Sequence, residues 1–153
     1  FNILGSFDEL TSRIGMLCAL TIDLQNILPV LRNIQQNIQN INSVLATFNQ
    51  RKQQKLQKIT TDDIKKLETD IDTIDAQNAP LTSFILPGLN RMDSQSHLCR
   101  TQTRTVERYI WKLYHYELEI NPDIFQEDDL KNILTYTNRL SDFFFVLSRY
   151  LCL

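Results

Sequence analysis

Apolar residues recur along nearly the whole chain at alternating steps of three and four, the spacing of helices that each bury one face. Phe7, Leu10, Ile14, Leu17, Thr21, Leu24 and Leu28 form the first such row, and this reading puts Asp8 and Glu9 in its first turn, where carboxylates suit the helix dipole. Pro29 punctuates that row. A second one follows through Leu31, Ile34, Ile38, Ile41, Leu45 and Phe48, with Asn and Gln on the opposite face. The third, Ile64, Leu67, Ile71 and Ile74, comes after Thr60 and Thr61, where a threonine can act as N-cap and Asp62 and Asp63 favour the same end. A fourth helix is expected from about Asp93 to Leu118, broken by Asn121-Pro122. A fifth runs from about Glu127 to Leu151, its start loaded with acid by Glu127, Asp128 and Asp129. The apolar period in the first three rows is close to 3.5, as for helices crossing at a shallow angle. The pattern predicts an all-α, five-helix up-and-down bundle.

One stretch departs from it. Residues 78–90 hold two prolines and a glycine, so they form a loop, yet Phe84, Ile85 and Leu86 inside it are apolar. Such a loop either plugs the end of the bundle or covers something else.

Composition narrows the classes. At 153 residues the chain has room for one domain with a core and too little for two, so residues 1–153 are read as a single helical-bundle domain. A net charge of −2 lacks the basic surplus of a duplex nucleic-acid binder, and no nucleic-acid partner is expected. The one basic cluster, from Arg51 to Lys58, precedes an acidic run and reads as a solvated connection. Cys18, Cys99 and Cys152 are an odd, widely spaced set, which argues against a disulfide framework and a thiolate metal site. With only His97 and His115, histidine chemistry has little to work with, and no metal-ligand set is assigned. No stretch is apolar enough to span a bilayer, and no signal peptide leads the chain. The sequence opens at Phe1 without a methionine, so processing or truncation upstream is an open expectation, and both the cytoplasm and the mitochondrial matrix stay open as compartments.

Candidate chemistry sits on the last two helices. On the fourth, Cys99, Val106, Ile110 and Leu113 form the apolar face. Arg100, Arg104, Glu107 and Trp111 form a separate stripe about a quarter-turn away, flanked by Arg108. Two arginines one turn apart can grip a polyphosphate, because each guanidinium offers several fixed donors. A carboxylate one turn on can orient them, take a ribose hydroxyl or join a magnesium shell. The same spacing equally describes an i, i+3 ion pair between Arg104 and Glu107 on a solvated face, worth a few tenths of a kcal/mol. On the fifth helix Asn138, Asp142, Phe145 and Arg149 share one stripe, and Leu134, Thr137, Ser141, Phe144 and Leu147 lie along its neighbour. Spacing leaves its polar members as either satisfied core groups or site residues.

Four segments carry a resemblance. Ser83-Phe84-Ile85-Leu86-Pro87-Gly88 resembles the "FILPGG" loop of the PduO-type ATP:cob(I)alamin adenosyltransferases. His97-Leu98-Cys99-Arg100-Thr101-Gln102-Thr103-Arg104-Thr105-Val106-Glu107-Arg108 resembles their "LHxARTxCRRAER" helix. Thr137-Asn138-Arg139-Leu140-Ser141-Asp142-Phe143-Phe144-Phe145-Val146-Leu147-Ser148-Arg149 is similar to their "NRLSDyLFxLAR" helix, and Asp8-Glu9-Leu10-Thr11-Ser12-Arg13-Ile14-Gly15 to their "DELNSxIG". The segments stand in the family's order and span nearly the whole chain.

The resemblance implies a homotrimer of five-helix bundles with active sites between subunits. It implies transfer of the 5′-deoxyadenosyl group of ATP, with Mg2+, to the cobalt of reduced cobalamin. By position, Arg104, Glu107, Arg108 and Asn138 would contact ATP, and Arg100 would pair with Asp8 near the subunit interface. Phe84 would press on the lower face of the corrin and exclude an axial ligand. Arg104, Arg100 and Asp8 are thus the implied catalytic set. Three departures accompany the match. The family's Gly/Thr-rich "TRTGDxGxT" segment, which wraps the ATP phosphates, would lie before Phe1. Thr105 replaces the second arginine of "CRRAER". Leu89 replaces the loop's second glycine, and Asn90, Arg91, Met92 and Asp93 follow it. These leave a rival reading, a non-catalytic trimeric bundle of the same fold that binds a corrinoid or a protein partner.

Overall fold

The computed structural model describes residues 2–47, 56–120 and 127–153. They form five helices and, among the described residues, no strand: α1 Asn2–Leu20, α2 Leu28–Ala46, α3 Thr61–Asp75, α4 Arg91–Ile120 and α5 Glu127–Tyr150. Hydrogen bonds between helices fix their directions. Gln95 and Gln102 of α4 donate to the carbonyls of Arg13 and Ser6, so α4 runs antiparallel to α1. Ser96 donates to Phe144 O while Asn138 donates to Glu107, which makes α4 and α5 antiparallel. Along α3 and α5, Glu68 faces Arg139 and Asp75 faces Arg149, so these two run parallel. Asn26 reaches Tyr150 and Asn37 reaches Tyr136, setting α2 antiparallel to α5. The topology is the expected up-and-down bundle, with α4 and α5 making the most extensive contact.

The apolar rows meet in one core. Phe7, Leu10, Ile14 and Leu17 of α1 and Leu31, Ile34, Ile38 and Ile41 of α2 are buried with Val106, Ile110, Leu140, Phe143, Phe144 and Leu147. Each such side chain contributes roughly 1.5–3 kcal/mol on burial. Asn37 Nδ2 donates to the buried Tyr136 hydroxyl at 3.0 Å, so this polar pair across α2 and α5 is satisfied, and burial pushes the phenol well above its ordinary value in spite of the bond.

Several boundaries differ from the sequence pattern. The apolar row of α1 continues N-terminally through buried Ile3, which places Asp8 and Glu9 beyond the first turn. Its C-terminal end lies at Leu20, not beyond Leu24. The Thr21 N–H and hydroxyl both donate to Leu17 O, at 3.0 and 2.8 Å, and the chain turns over 21–27. Leu28 therefore belongs to α2, and Pro29 sits in that helix's first turn, where its missing N–H costs nothing. Thr60 caps α3 as expected, in a reciprocal capping box with Asp63. Phe48, residues 51–55 of the basic cluster, Asn121, Pro122 and the side chain of Glu127 lie outside the described residues. Lys58, at the cluster's end, pairs with Asp129 at 2.8 Å.

Candidate active site

The α4 stripe does not behave as one ladder. Arg104 keeps its guanidinium more than half exposed, and its link to Glu107 is long, 3.8 Å. Glu107 itself is buried, 8% exposed, because the α4–α5 contact brings Asn138 over it: Asn138 Nδ2 donates to Glu107 Oε2 at 2.9 Å. The solvated ion pair is thus half right. The cation is solvated, and the carboxylate is held between two helices. Asn138 Oδ1 in turn accepts from Arg139 at 2.8 Å, which fixes the amide's orientation. Arg108 is exposed beside Arg104 and donates to the Thr105 hydroxyl at 3.4 Å. Two guanidiniums, one oriented carboxylate and one oriented amide therefore meet at one place on the α4–α5 seam, a donor-rich set that fits a polyphosphate and ribose.

Trp111 leaves the stripe for a stack on His115, 5.6 Å between centroids. Of the other polar residues of α5, Thr137 and Ser141 resolve as core groups, since Thr137 donates to Ile133 O at 2.9 Å and Ser141 to Asn138 O at 2.8 Å, both buried. Asp142 is exposed.

Arg100 and Asp8 are not joined. The α1–α4 register sets them level, but within the chain Arg100 Nε donates to His97 Nδ1 at 3.2 Å and the Asp8 side chain lies exposed. His97 is one of the chain's two histidines and had no role assigned from sequence, although its i, i+3 spacing from Arg100 was there to be read. It is 5% exposed, and because Nδ1 accepts, its ring proton belongs on Nε2. Burial first, then the Arg100 charge, hold its pKa below the ordinary histidine value, against the pull of Asp93. An imidazole kept neutral in the fold destabilises it once the unfolded chain can take the proton. Thermal stability should therefore fall as pH drops from 7.5 through 6.5 to 5.5, by at most about 1.4 kcal/mol per pH unit. In His97→Asn this slope should flatten in melting curves across that range. An unchanged slope would show that His97 is not its source.

The loop over 76–90 does not plug the bundle. Phe84 is fully exposed at 103%, Leu86 and Leu89 are nearly as open, and only Ile85 is partly covered. Its ends are tied down instead: Asn78 Nδ2 donates to Val146 O at 3.1 Å, Arg149 donates to Ala79 O, and Asn90 Nδ2 donates to Leu151 O at 2.9 Å. The pinned loop thus leaves an aromatic ring and two leucines open to solvent.

Fold and site together define an all-helical bundle with a cationic patch on the α4–α5 seam and an exposed apolar loop at the bundle's end. Known proteins identify the family. The cobalamin adenosyltransferase family profile matches residues 1–151. Human corrinoid adenosyltransferase MMAB is 33% identical over 154 residues, covering 98% of this chain and 58% of that protein. The Bacillus subtilis corrinoid adenosyltransferase is 35% identical over 148 residues, covering 95% and 70%. Among solved structures, a variant PduO-type ATP:corrinoid adenosyltransferase from Lactobacillus reuteri, complexed with cobalamin and ATP, superposes with a TM-score of 0.80 at 30% identity, covering 98% of this chain and 78% of that one. This chain belongs to the cobalamin adenosyltransferase family. It spans little more than half the length of the human relative.

Proposed function

We propose that the chain is an ATP:corrinoid adenosyltransferase, moving the 5′-deoxyadenosyl group of ATP to the cobalt of a reduced cobalamin and releasing triphosphate. The observation that carries this is the meeting of open Arg104 with the Glu107–Asn138 pair across α4 and α5. On this reading Arg104 and Arg108 take phosphate oxygens, while the Glu107 carboxylate, oriented by Asn138, faces the ribose or a magnesium shell. Phe84 covers the corrin and keeps water and axial ligands away. The protein's work is positioning and desolvation, and the reactive centre is the substrate's own. With Arg100 and Asp8 level but unjoined in one chain, we further propose that the Asp8 partner of Arg100 comes from a neighbouring copy in a homotrimer. Such a reaction suits a compartment with ATP and a reducing poise, the cytoplasm or the mitochondrial matrix, in keeping with three unpaired cysteines.

The test supplies reduced cobalamin, ATP and Mg2+ and follows adenosylcobalamin by its absorption. Product is expected. Corrinoid binding without product would favour the non-catalytic bundle. Thr105 adds a graded check, because Thr105→Arg places a further cation beside Arg104 and Arg108. At a surface separation of a few ångströms that gains on the order of 1 kcal/mol, so the KM for ATP should fall about fivefold. No change would place the phosphates elsewhere.

A further inference from the structure

Asp93 makes hydrogen bonds that helix capping alone does not explain. Its Oδ1 accepts the Asn90 N–H and the Asn90 side chain accepts the Asp93 N–H at 2.8 Å, the reciprocal pair expected where α4 begins. Oδ2, however, accepts the N–H groups of Gly88 at 3.2 Å and Leu89 at 3.3 Å, which lie in the loop outside the helix. One buried carboxylate thus closes on three consecutive amides. They converge because Gly88 has φ +113°, a conformation that residues with a Cβ rarely adopt. Burial alone would push this carboxyl up, but the N–H groups of Asn90, Gly88 and Leu89 together hold it below the ordinary carboxylate value, so it is the charged form that grips the loop.

The other foot of the loop is held by α5, through Asn78 to Val146 O and Arg149 to Ala79 O. Between the feet Phe84 and Leu86 stand in water. A slack loop of this composition would fold its apolar side chains against the bundle, where burial favours them. The bracket at Gly88–Asn90 opposes that collapse.

We propose that Asp93 is a positioning residue for corrinoid binding, fixing the Gly88–Asn90 foot so that Phe84 is already turned outward before the corrinoid arrives. Preorganisation of this kind removes an ordering cost from binding. The inference rests on Phe84 being the corrin-facing residue.

The test compares the wild-type chain with Asp93→Asn and Phe84→Ala. Hydrogen exchange of the ligand-free proteins reads the bracket itself. The Gly88, Leu89 and Asn90 amides should be protected in the wild type and exchange about tenfold faster in Asp93→Asn, with the α1, α2 and α5 amides unchanged. Titration with cob(II)alamin in the presence of ATP reads the consequence: Asp93→Asn should weaken corrinoid binding about tenfold and shrink the spectral change on binding, with the ATP affinity within about twofold of wild type. Unprotected Gly88 and Leu89 amides in the wild type would overturn the proposal, even if Asp93→Asn fails to fold. Equal losses for ATP and corrinoid would overturn it too, by showing a merely structural role. If Phe84→Ala binds corrinoid like the wild type, the corrin-facing reading falls, and the role of Asp93 in binding falls with it. If Phe84→Ala weakens binding and Asp93→Asn does not, only the present inference fails.

Discussion

Arg104→Ala should leave a folded protein that forms adenosylcobalamin at least about a hundredfold more slowly, the loss seen when one preorganised donor is removed from developing charge. The fold should hardly notice. The guanidinium is more than half exposed and its ion pair with Glu107 is 3.8 Å long, so the pair contributes under about 1 kcal/mol. For a domain of this size that is a shift of roughly 2–4 °C at most. Arg104→Lys sharpens the test, since it keeps the charge but replaces the planar fork with a single point donor. If charge alone matters, the lysine variant recovers most of the activity. If two fixed donors on the triphosphate matter, it stays near the alanine variant. Full activity in Arg104→Ala would remove the α4–α5 seam as the nucleotide site.

What the sequence disclosed follows how local each interaction is. The Thr60–Asp63 capping box and the burial of Cys99, Val106 and Ile110 depend on neighbours within one or two turns, and both were readable from spacing. The α1–α2 turn was hidden because Thr21 and Leu24 carry on the apolar period across it, and because a proline marks a helix start as well as a stop. The ambiguity of the α4 stripe could not be settled from α4 alone. Whether Glu107 is a solvated anion or a buried one depends on the α4–α5 register, which brings a residue 31 positions away onto it. Asp93 illustrates the same limit: in the sequence it marked the expected start of the fourth helix and a departure from the family's loop, and only its bond to the Gly88 N–H ties it to that loop.

That long-range pair gives the second large effect. Asn138→Ala should lower stability by about 1–3 kcal/mol, because it leaves the Glu107 carboxylate in its buried position with only a distant cation for company. The melting temperature should drop by roughly 2–12 °C. Glu107→Gln removes the charge but keeps an oxygen for the Asn138 amide, so it should cost less stability and still raise the KM for ATP, since nothing then steers Arg104. The two changes touch one hydrogen bond of 2.9 Å and must therefore be non-additive. In a double-mutant cycle the pair should show a coupling of about 0.5–3 kcal/mol in urea unfolding, and a further coupling in the ATP KM, because either substitution disorients the same carboxylate. Additive stabilities would mean that Asn138 and Glu107 do not share the bond in solution. Coupling in stability with additive effects on KM would mean that the bond only holds α4 to α5, and the ribose or magnesium role of Glu107 would have to be given up.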